Sequence, residues 1–286
     1  MRRMSSRSRP FVQVDVFTAV PYLGNPLAVV IDGADLSDAE MQHLAHWTNL
    51  SETTFLVPPT DPAADYRVRI FTTTRELPFA GHPTIGSCHA WLGAGGVPKQ
   101  PGVVVQECGV GLLPVRLGDA GRAAFGAPPL RHDEPAPGAV AAVAGALGIP
   151  LESVQRAAQL TNGPSFLALH LDSAQRVLDI DADFAALGAT GMEAGLVGPH
   201  PAGSDCDVEV RLLMSGLGTG EDPVTGSLNA ALAQWLIGEG LLPERYVAAQ
   251  GTRLGRAGRV YLERDLDGQV WVGGDAVTCI SGTIMA

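Results

Sequence analysis

Apolar and polar positions alternate along "FVQVDVFTAV", Phe11 to Val20, which predicts a strand; "GNPLAVVI" turns at Gly24-Asn25-Pro26 into a second. The period then changes. In "LSDAEMQHLAHWTN" the apolar residues Met41, Leu44 and Ala45 form one stripe of a helix, and Ser37 and Glu40 have the spacing of a capping box. "SETTFLVPP" and "YRVRIFT" return to strand, and "GVVVQEC" and "GLLPVRL" add two more around a glycine turn. Beyond them, "AVAAVAGALGI" predicts a helix, "SFLALHL" and "CDVEVRLLM" strands, and "SLNAALAQWLIGEG" a helix closing on glycine, with three strand candidates finishing the chain. The strands come in hairpin-like runs without the long βαβ rhythm of a parallel sheet. Between the two halves, "FGAPPLRHDEPAPGAV" has the proline density of a linker, which places a boundary there.

Composition narrows the class. A chain of 286 residues holds one large domain or two ordinary ones, and 46% hydrophobic against 17% charged residues gives it a core and argues against disorder. Its 35 glycines and 21 prolines suit many short strands joined by tight turns. The net charge is −11 although Arg2, Arg3, Arg7 and Arg9 crowd the first ten residues, so the remainder is more acidic still and no nucleic-acid partner is expected. Residues 1–10 are expected to form a disordered, solvated extension. Neither a membrane-length apolar run nor an apolar signal core is present, which predicts a cytoplasmic protein with no membrane partner. Cys88, Cys108, Cys206 and Cys279 form no CxxC pair and read as buried thiols. Lys99, the only lysine, lies in the loop-like "GGVPKQPG", which disfavours a Schiff-base cofactor.

One cadence occurs twice, in "FAGHPTIGS" and "GEDPVTGS". Placing Pro83 on Pro223 also pairs His82 with Asp222, Gly86 with Gly226 and Ser87 with Ser227. Arg69 and Arg211 begin the strands leading into each turn, and "WLGAGGV" and "WLIGEGL" close each following helix. Strand, turn, helix and closing tryptophan agree in order, which favours duplication. Trp235 stands four residues further along than this alignment requires, so the second helix is expected to be one turn longer. The plain reading of each turn is helix capping, with Asp222 as cap and Pro223 at the first helical position. The functional reading adds an anion site at each helix N-terminus, where Gly81, Ser87, Gly226 and Ser227 would hold a small carboxylate. A phosphate loop is excluded, because Gly226 stands where its lysine belongs and Glu221 and Asp222 would repel phosphate. Nor do Gly216, Gly218 and Gly220 complete a dinucleotide fingerprint. Glu40, His43 and His46 share a helix face but lack the H-E-x-x-H arrangement, so that face reads as solvated and no metal is expected.

"NLSETTF", "RIFTTTRELPFAGHPTIGS" and "GEDPVTGS", in that order, resemble the PhzF family of phenazine-biosynthesis isomerases, and the likeness runs from Phe11 to the C-terminus through "GNPLAVV" and "QGTRLGRAG". Thr73 departs from the family's usual proline, and "RLLMSGLG" replaces its aromatic-Ala-Pro run. The resemblance implies an α+β, diaminopimelate-epimerase-like fold: two pseudo-symmetric lobes, each a curled, mostly antiparallel, barrel-like β-sheet around a central helix, with the active site between them. On this reading the N-terminal lobe covers 11–128 and is completed by 277–286, and the C-terminal lobe covers 129–276. A cofactor-independent homodimer is implied, acting on a small unsaturated carboxylic acid of the dihydro-hydroxyanthranilate type by shifting a proton and a double bond. Glu52 falls on the family's general acid/base, His82 and Asp222 on its further catalytic positions, and Gly81 and Ser227 on binding positions. A glutamate shielded from water could both take and return a proton near neutrality. Two other readings stay open: a non-catalytic binding or interaction protein on the same fold, and an amino-acid epimerase. The latter needs a thiol at each helix start; Cys88, one position after Ser87, is not at one.

Overall fold

In the computed structural model, which describes residues 7–118, 121–214 and 220–286, the first alternating stretch forms β1 (Ser8–Val16), antiparallel to β2 (Asn25–Val30). Helix α1 (Asp38–Thr48) opens with the Ser37–Glu40 capping box and stops at Asn49, which takes the left-handed conformation at φ 56°. β3 (Thr53–Val57) returns parallel to β2, and β4 (Tyr66–Phe71) runs back along β3. The two-residue β5 (Glu76–Leu77) folds onto the end of β4 and leads into α2 (Gly81–Gly93). β6 (Val103–Cys108) is parallel to β4, and β7 (Gly111–Leu117) and β8 (Ala123–Gly126) follow as an antiparallel meander.

The same sequence of pairings then recurs. β9 (Arg131–Asp133) and α3 (Ala139–Leu147) precede β10 (Val154–Thr161), which lies antiparallel between β9 and β11 (Ser165–Leu171). Two short helices, α4 (Ala174–Asp179) and α5 (Phe184–Thr190), occupy the place of α1. β12 (Ala194–Pro199) is parallel to β11, and β13 (Val208–Leu213) is antiparallel to β12. β14 (Glu221–Asp222) folds onto β13 and leads into α6 (Gly226–Gly238). β15 (Arg245–Gln250) is parallel to β13 and antiparallel to β16 (Gly258–Arg264). After β17 (Val270–Gly274), β18 (Ala276–Met285) pairs with β1 from Ser8↔Met285 to Val16↔Ala276. The chain thus forms two compact units, one comprising the described residues to Gly126 with Gly273–Ala286, the other Ala127–Val272. β9 does for β10 what β18 does for β1. The strands of each unit are mixed and mostly antiparallel; each helical crossover joins one of the parallel pairs.

In the first unit the sheet curls around α2, which packs against β1, β2, β3, β4, β6, β8 and β18. Its sequence explains why. Every residue from Gly81 to Cys88 is buried, so the helix presents no polar stripe and must be enclosed. Gly86 allows the closest approach: a Cβ there would lie 2.6 Å from Leu27 Cδ2 and 2.9 Å from Val16 Cγ2. α6 is buried in the same way over Leu228–Ala233 and Trp235–Ile237. Met41 and Ala45 of α1 close the other face of the first sheet with Val30, Phe55 and Phe71. A separate core in the second unit joins Val143 and Leu147 of α3 to Leu167, Leu169 and Leu196.

Several expectations need correction. Ser8–Pro10 are not an extension but the start of β1, and the Arg9 side chain is only 3% exposed. Its guanidinium donates to the carbonyls of Ala286, Asp32 and Ala34, which makes burial of the charge tolerable; residues 1–6 lie outside the described residues. Arg131–Asp133, within the proline-dense stretch, is a strand. α2 and α6 have the same length, 13 residues each, so the second is not a turn longer. Cys88, Cys108 and Cys206 are buried, whereas Cys279 is half-buried. Among the described residues no helix is long and apolar enough to cross a membrane.

Candidate active site

α2 begins from Ala80, whose extended backbone supplies no side-chain cap. Thr84 N–H donates to the Ala80 carbonyl at 3.2 Å, and the Gly81 and His82 N–H groups precede this first bond of the helix. His82 is the second residue of the helix and only 6% exposed. Glu52 reaches it from the residue just before β3, where the left-handed stop of α1 at Asn49 turns the chain. Its Oε2 lies 3.4 Å from His82 Nε2, and its side chain is 15% exposed. Burial pushes the His82 imidazole down to about 3, so the ring is neutral at pH 7. A neutral ring carries one hydrogen, so Nε2 presents either an N–H or a lone pair to Glu52, according to which ring nitrogen holds it. Such a pair can take a proton from carbon and return it.

The second turn is built differently from the first. Asp222 belongs to β14, is 9% exposed, and does not cap α6; the helix starts from Thr225, again without a side-chain cap. The Thr225 hydroxyl donates instead to Asp222 Oδ2. Gly226 is the first residue of the helix, and half-buried Ser227 accepts the Asn162 side-chain amide on its carbonyl at 2.8 Å.

This geometry also corrects the alignment of the two turns. Arg69 forks onto Glu76 at 2.8 and 2.6 Å, and Arg211 forks onto Glu221 at 3.1 and 2.8 Å. Phe71 pairs with Glu76 as Leu213 pairs with Glu221. With the glutamates matched, Pro78 falls on Pro223 and Gly81 on Gly226, so His82 corresponds to Ser227, and Asp222 to Leu77. Pro83 sits inside the first turn of α2, where a missing N–H costs nothing, and Pro223 stands before its helix; the two prolines are not equivalent.

Ser87 is fully buried within α2, its hydroxyl bonded to Thr54 Oγ1 at 3.0 Å, and takes no place at the helix start. Glu40 is engaged by its capping box and His46 Nδ1 lies 3.1 Å from the Thr73 carbonyl, so that helix face offers no ligand set. Two residues the sequence reading did not single out, Thr225 and the fully buried Gln250, brace the Asp222 turn. The run "QGTRLGRAG" contained the signal without indicating a role.

The pattern of the phenazine biosynthesis-like (PhzC-PhzF) family matches residues 14–282. The chain belongs to that family. It is 36% identical to "Antisense-enhancing sequence 1" of Schizosaccharomyces pombe, over 95% of this chain and 97% of that protein. It is 31% identical to the trans-2,3-dihydro-3-hydroxyanthranilate isomerase of Pseudomonas aeruginosa, over 91% of each. A Bacillus anthracis PhzF-family crystal structure superposes with a TM-score of 0.84 over 98% of this chain and 100% of that one, at 20% identity. That likeness concerns the fold. The family is one of isomerases, and this chain is a member with the SET, GHP and EDP segments in place.

Proposed function

We propose that this family member is a cofactor-independent isomerase that moves a proton, and with it a double bond, on a small unsaturated carboxylic acid such as trans-2,3-dihydro-3-hydroxyanthranilate. The observation carrying the proposal is the Glu52–His82 pair: a shielded carboxylate 3.4 Å from a buried imidazole at the uncapped start of a helix. Glu52 removes the proton from carbon and redelivers it elsewhere on the same skeleton. His82, as a neutral ring, is assigned to hydrogen-bonding the substrate beside Glu52. The N–H groups at the start of α2, with Gly81, are assigned to the substrate carboxylate, and Gly226 and Ser227 are kept as substrate-binding positions by their place in the family's motif. Asp222 is assigned to substrate orientation by its place in the family's motif. Assembly as a homodimer is part of the same proposal, and light scattering reads it directly.

The test is turnover of trans-2,3-dihydro-3-hydroxyanthranilate in D2O, followed by ultraviolet absorbance and by deuterium incorporation into product. Glu52→Gln keeps shape and most hydrogen bonding but cannot carry the proton. It should bind within about tenfold of wild type and turn over roughly 10²–10⁴ more slowly. A Glu52→Gln enzyme of near-wild-type rate would place the proton carrier elsewhere.

A second reading, binding without turnover, draws on the fission-yeast relative, whose name describes no reaction. It predicts saturable ligand binding with no solvent deuterium in the ligand. Thiol-based epimerisation is disfavoured by Cys88, whose fully buried thiol is pushed up to about 12 by burial and, secondarily, by Asp65.

A further inference from the structure

Gln250 ends β15 with no exposed surface, yet it is a polar residue with four hydrogen bonds to make. Three go to one turn and the fourth to the helix that follows it. Its Oε1 accepts from Thr225 N–H at 3.0 Å and from Asn229 Nδ2 at 2.8 Å; its Nε2 donates to the Asp222 carbonyl at 3.2 Å and to Thr225 Oγ1 at 3.0 Å. The orientation of the amide is not arbitrary. A backbone N–H can only donate and a backbone carbonyl can only accept, so Oε1 must face Thr225 N and Nε2 must face Asp222 O. Thr225 Oγ1 therefore receives the amide proton, and its own hydrogen is left to donate to Asp222 Oδ2.

We infer that Gln250 is a positioning residue for Asp222: through Thr225 it fixes a one-way chain of donors, amide to hydroxyl to carboxylate, that keeps Asp222 an acceptor in the active site. The inference rests on the assignment of Asp222 to the site made above. An Asp222 held in this way keeps Oδ2 as an acceptor, so any proton it takes from a substrate N–H or O–H resides on Oδ1. The first unit holds a related contact one helical turn on, at the position of Asn229, whose Nδ2 donates to the Thr225 carbonyl at 2.9 Å. There Gln106, also fully buried, donates to Thr84 Oγ1 at 3.2 Å, and Thr84 passes its hydrogen to the Ala80 carbonyl at 2.9 Å. That Gln–Thr pair ends on backbone and braces a helix start. In the second unit Gln250 makes a further contact, to Thr225, and that one ends on a side chain that can titrate, so the direction of the chain acquires chemical meaning.

The experiment uses the full chain and two readouts. Carboxyl-carbon NMR, with Asp222 assigned by the resonance lost in Asp222→Asn, follows its titration without any substrate. Thr225→Val removes the hydroxyl and keeps the shape; the Asp222 midpoint should rise by about one pH unit or more, while Thr225→Ser should leave it near wild type. If Thr225→Val does not fold, Thr225→Ala carries the same measurement. An Asp222 midpoint unmoved in a folded hydroxyl-less variant overturns the inference. The second readout is turnover of trans-2,3-dihydro-3-hydroxyanthranilate by Gln250→Glu between pH 5 and 8. The introduced carboxyl group can donate to Thr225 when protonated and cannot when ionised. The variant should therefore approach wild-type kcat at the acid end and fall away at the alkaline end. A fixed ratio across that range, with unchanged melting temperature, counts against a positioning role. Wild-type protein inactive on this substrate, with the Asp222 shift present, sinks the substrate reading and leaves the donor chain standing.

Discussion

His82 places an imidazole where solvent scarcely reaches, and that has a consequence for stability as well as chemistry. In the unfolded chain the ring takes up a proton near pH 6.5; in the folded protein, burial delays this to about 3. Below 6.5 the unfolded state therefore binds a proton that the folded state refuses. The contribution of the neutral ring is complete above about 6.5 and is lost as pH falls toward 3, at up to about 1.4 kcal/mol per pH unit. Urea unfolding at pH 7 and pH 5 should show the loss, and His82→Gln should show less of it. Gly86 offers a second test at this scale. A methyl there meets Leu27 and Val16 at the helix–sheet contact, so Gly86→Ala should cost roughly 1–3 kcal/mol despite the better helix propensity of alanine. Thermal melts of the two proteins decide it. Glu52 and His82 could each be picked from the sequence by motif; their contact could not, since nothing in the residues between them announces that the end of α1 aims Glu52 at the start of α2.

At the scale of elements, the two arginine–glutamate forks give a controlled comparison within one molecule. Arg211 and Glu221 are 4% and 3% exposed, and Arg211 also donates to the Val177 and Ile180 carbonyls, which fastens the end of α4. Arg69 and Glu76 make the same fork at 18% and 41% exposure. Removing the charge from one partner of a buried pair strands the other, whereas an exposed ion is rehydrated. Glu221→Gln should therefore cost about 3–5 kcal/mol and Glu76→Gln no more than about 1 kcal/mol, as read by denaturant midpoints. This comparison also shows where the sequence misleads. β4 and β13 declare themselves by the apolar–polar alternation of YRVRI and VEVRL. β5 and β14 are two residues long and have no period to detect, yet they set the register of each turn. Matching prolines across the repeat therefore aligned His82 with Asp222 and made α6 a turn too long. α4 and α5, at six and seven residues, are too short for a helical stripe to stand out.

The whole molecule joins one unit that is continuous in sequence to one that is not. Ala127–Val272 closes on itself around its own core, and the other unit needs Gly273–Ala286 to finish its sheet. Residues 127–272 expressed alone should give a dispersed NMR spectrum and a cooperative melt; residues 1–126 alone should give neither, because β1 would lose its β18 partner along its length. An unfolded 127–272 fragment would show that the second unit depends on the first. The pairing of β1 with β18 has a further meaning when the chain is considered in time. Arg9 and Ala286 meet across a separation of 277 residues, so β1 waits for a strand made long after it. During synthesis the later-emerging unit can reach its final form while the earlier one still shows the open edge of β1 to the cell. That edge, as β2 and the following strands assemble beside it, is an invitation to a neighbouring nascent chain, and it lasts until residues 276–285 leave the ribosome.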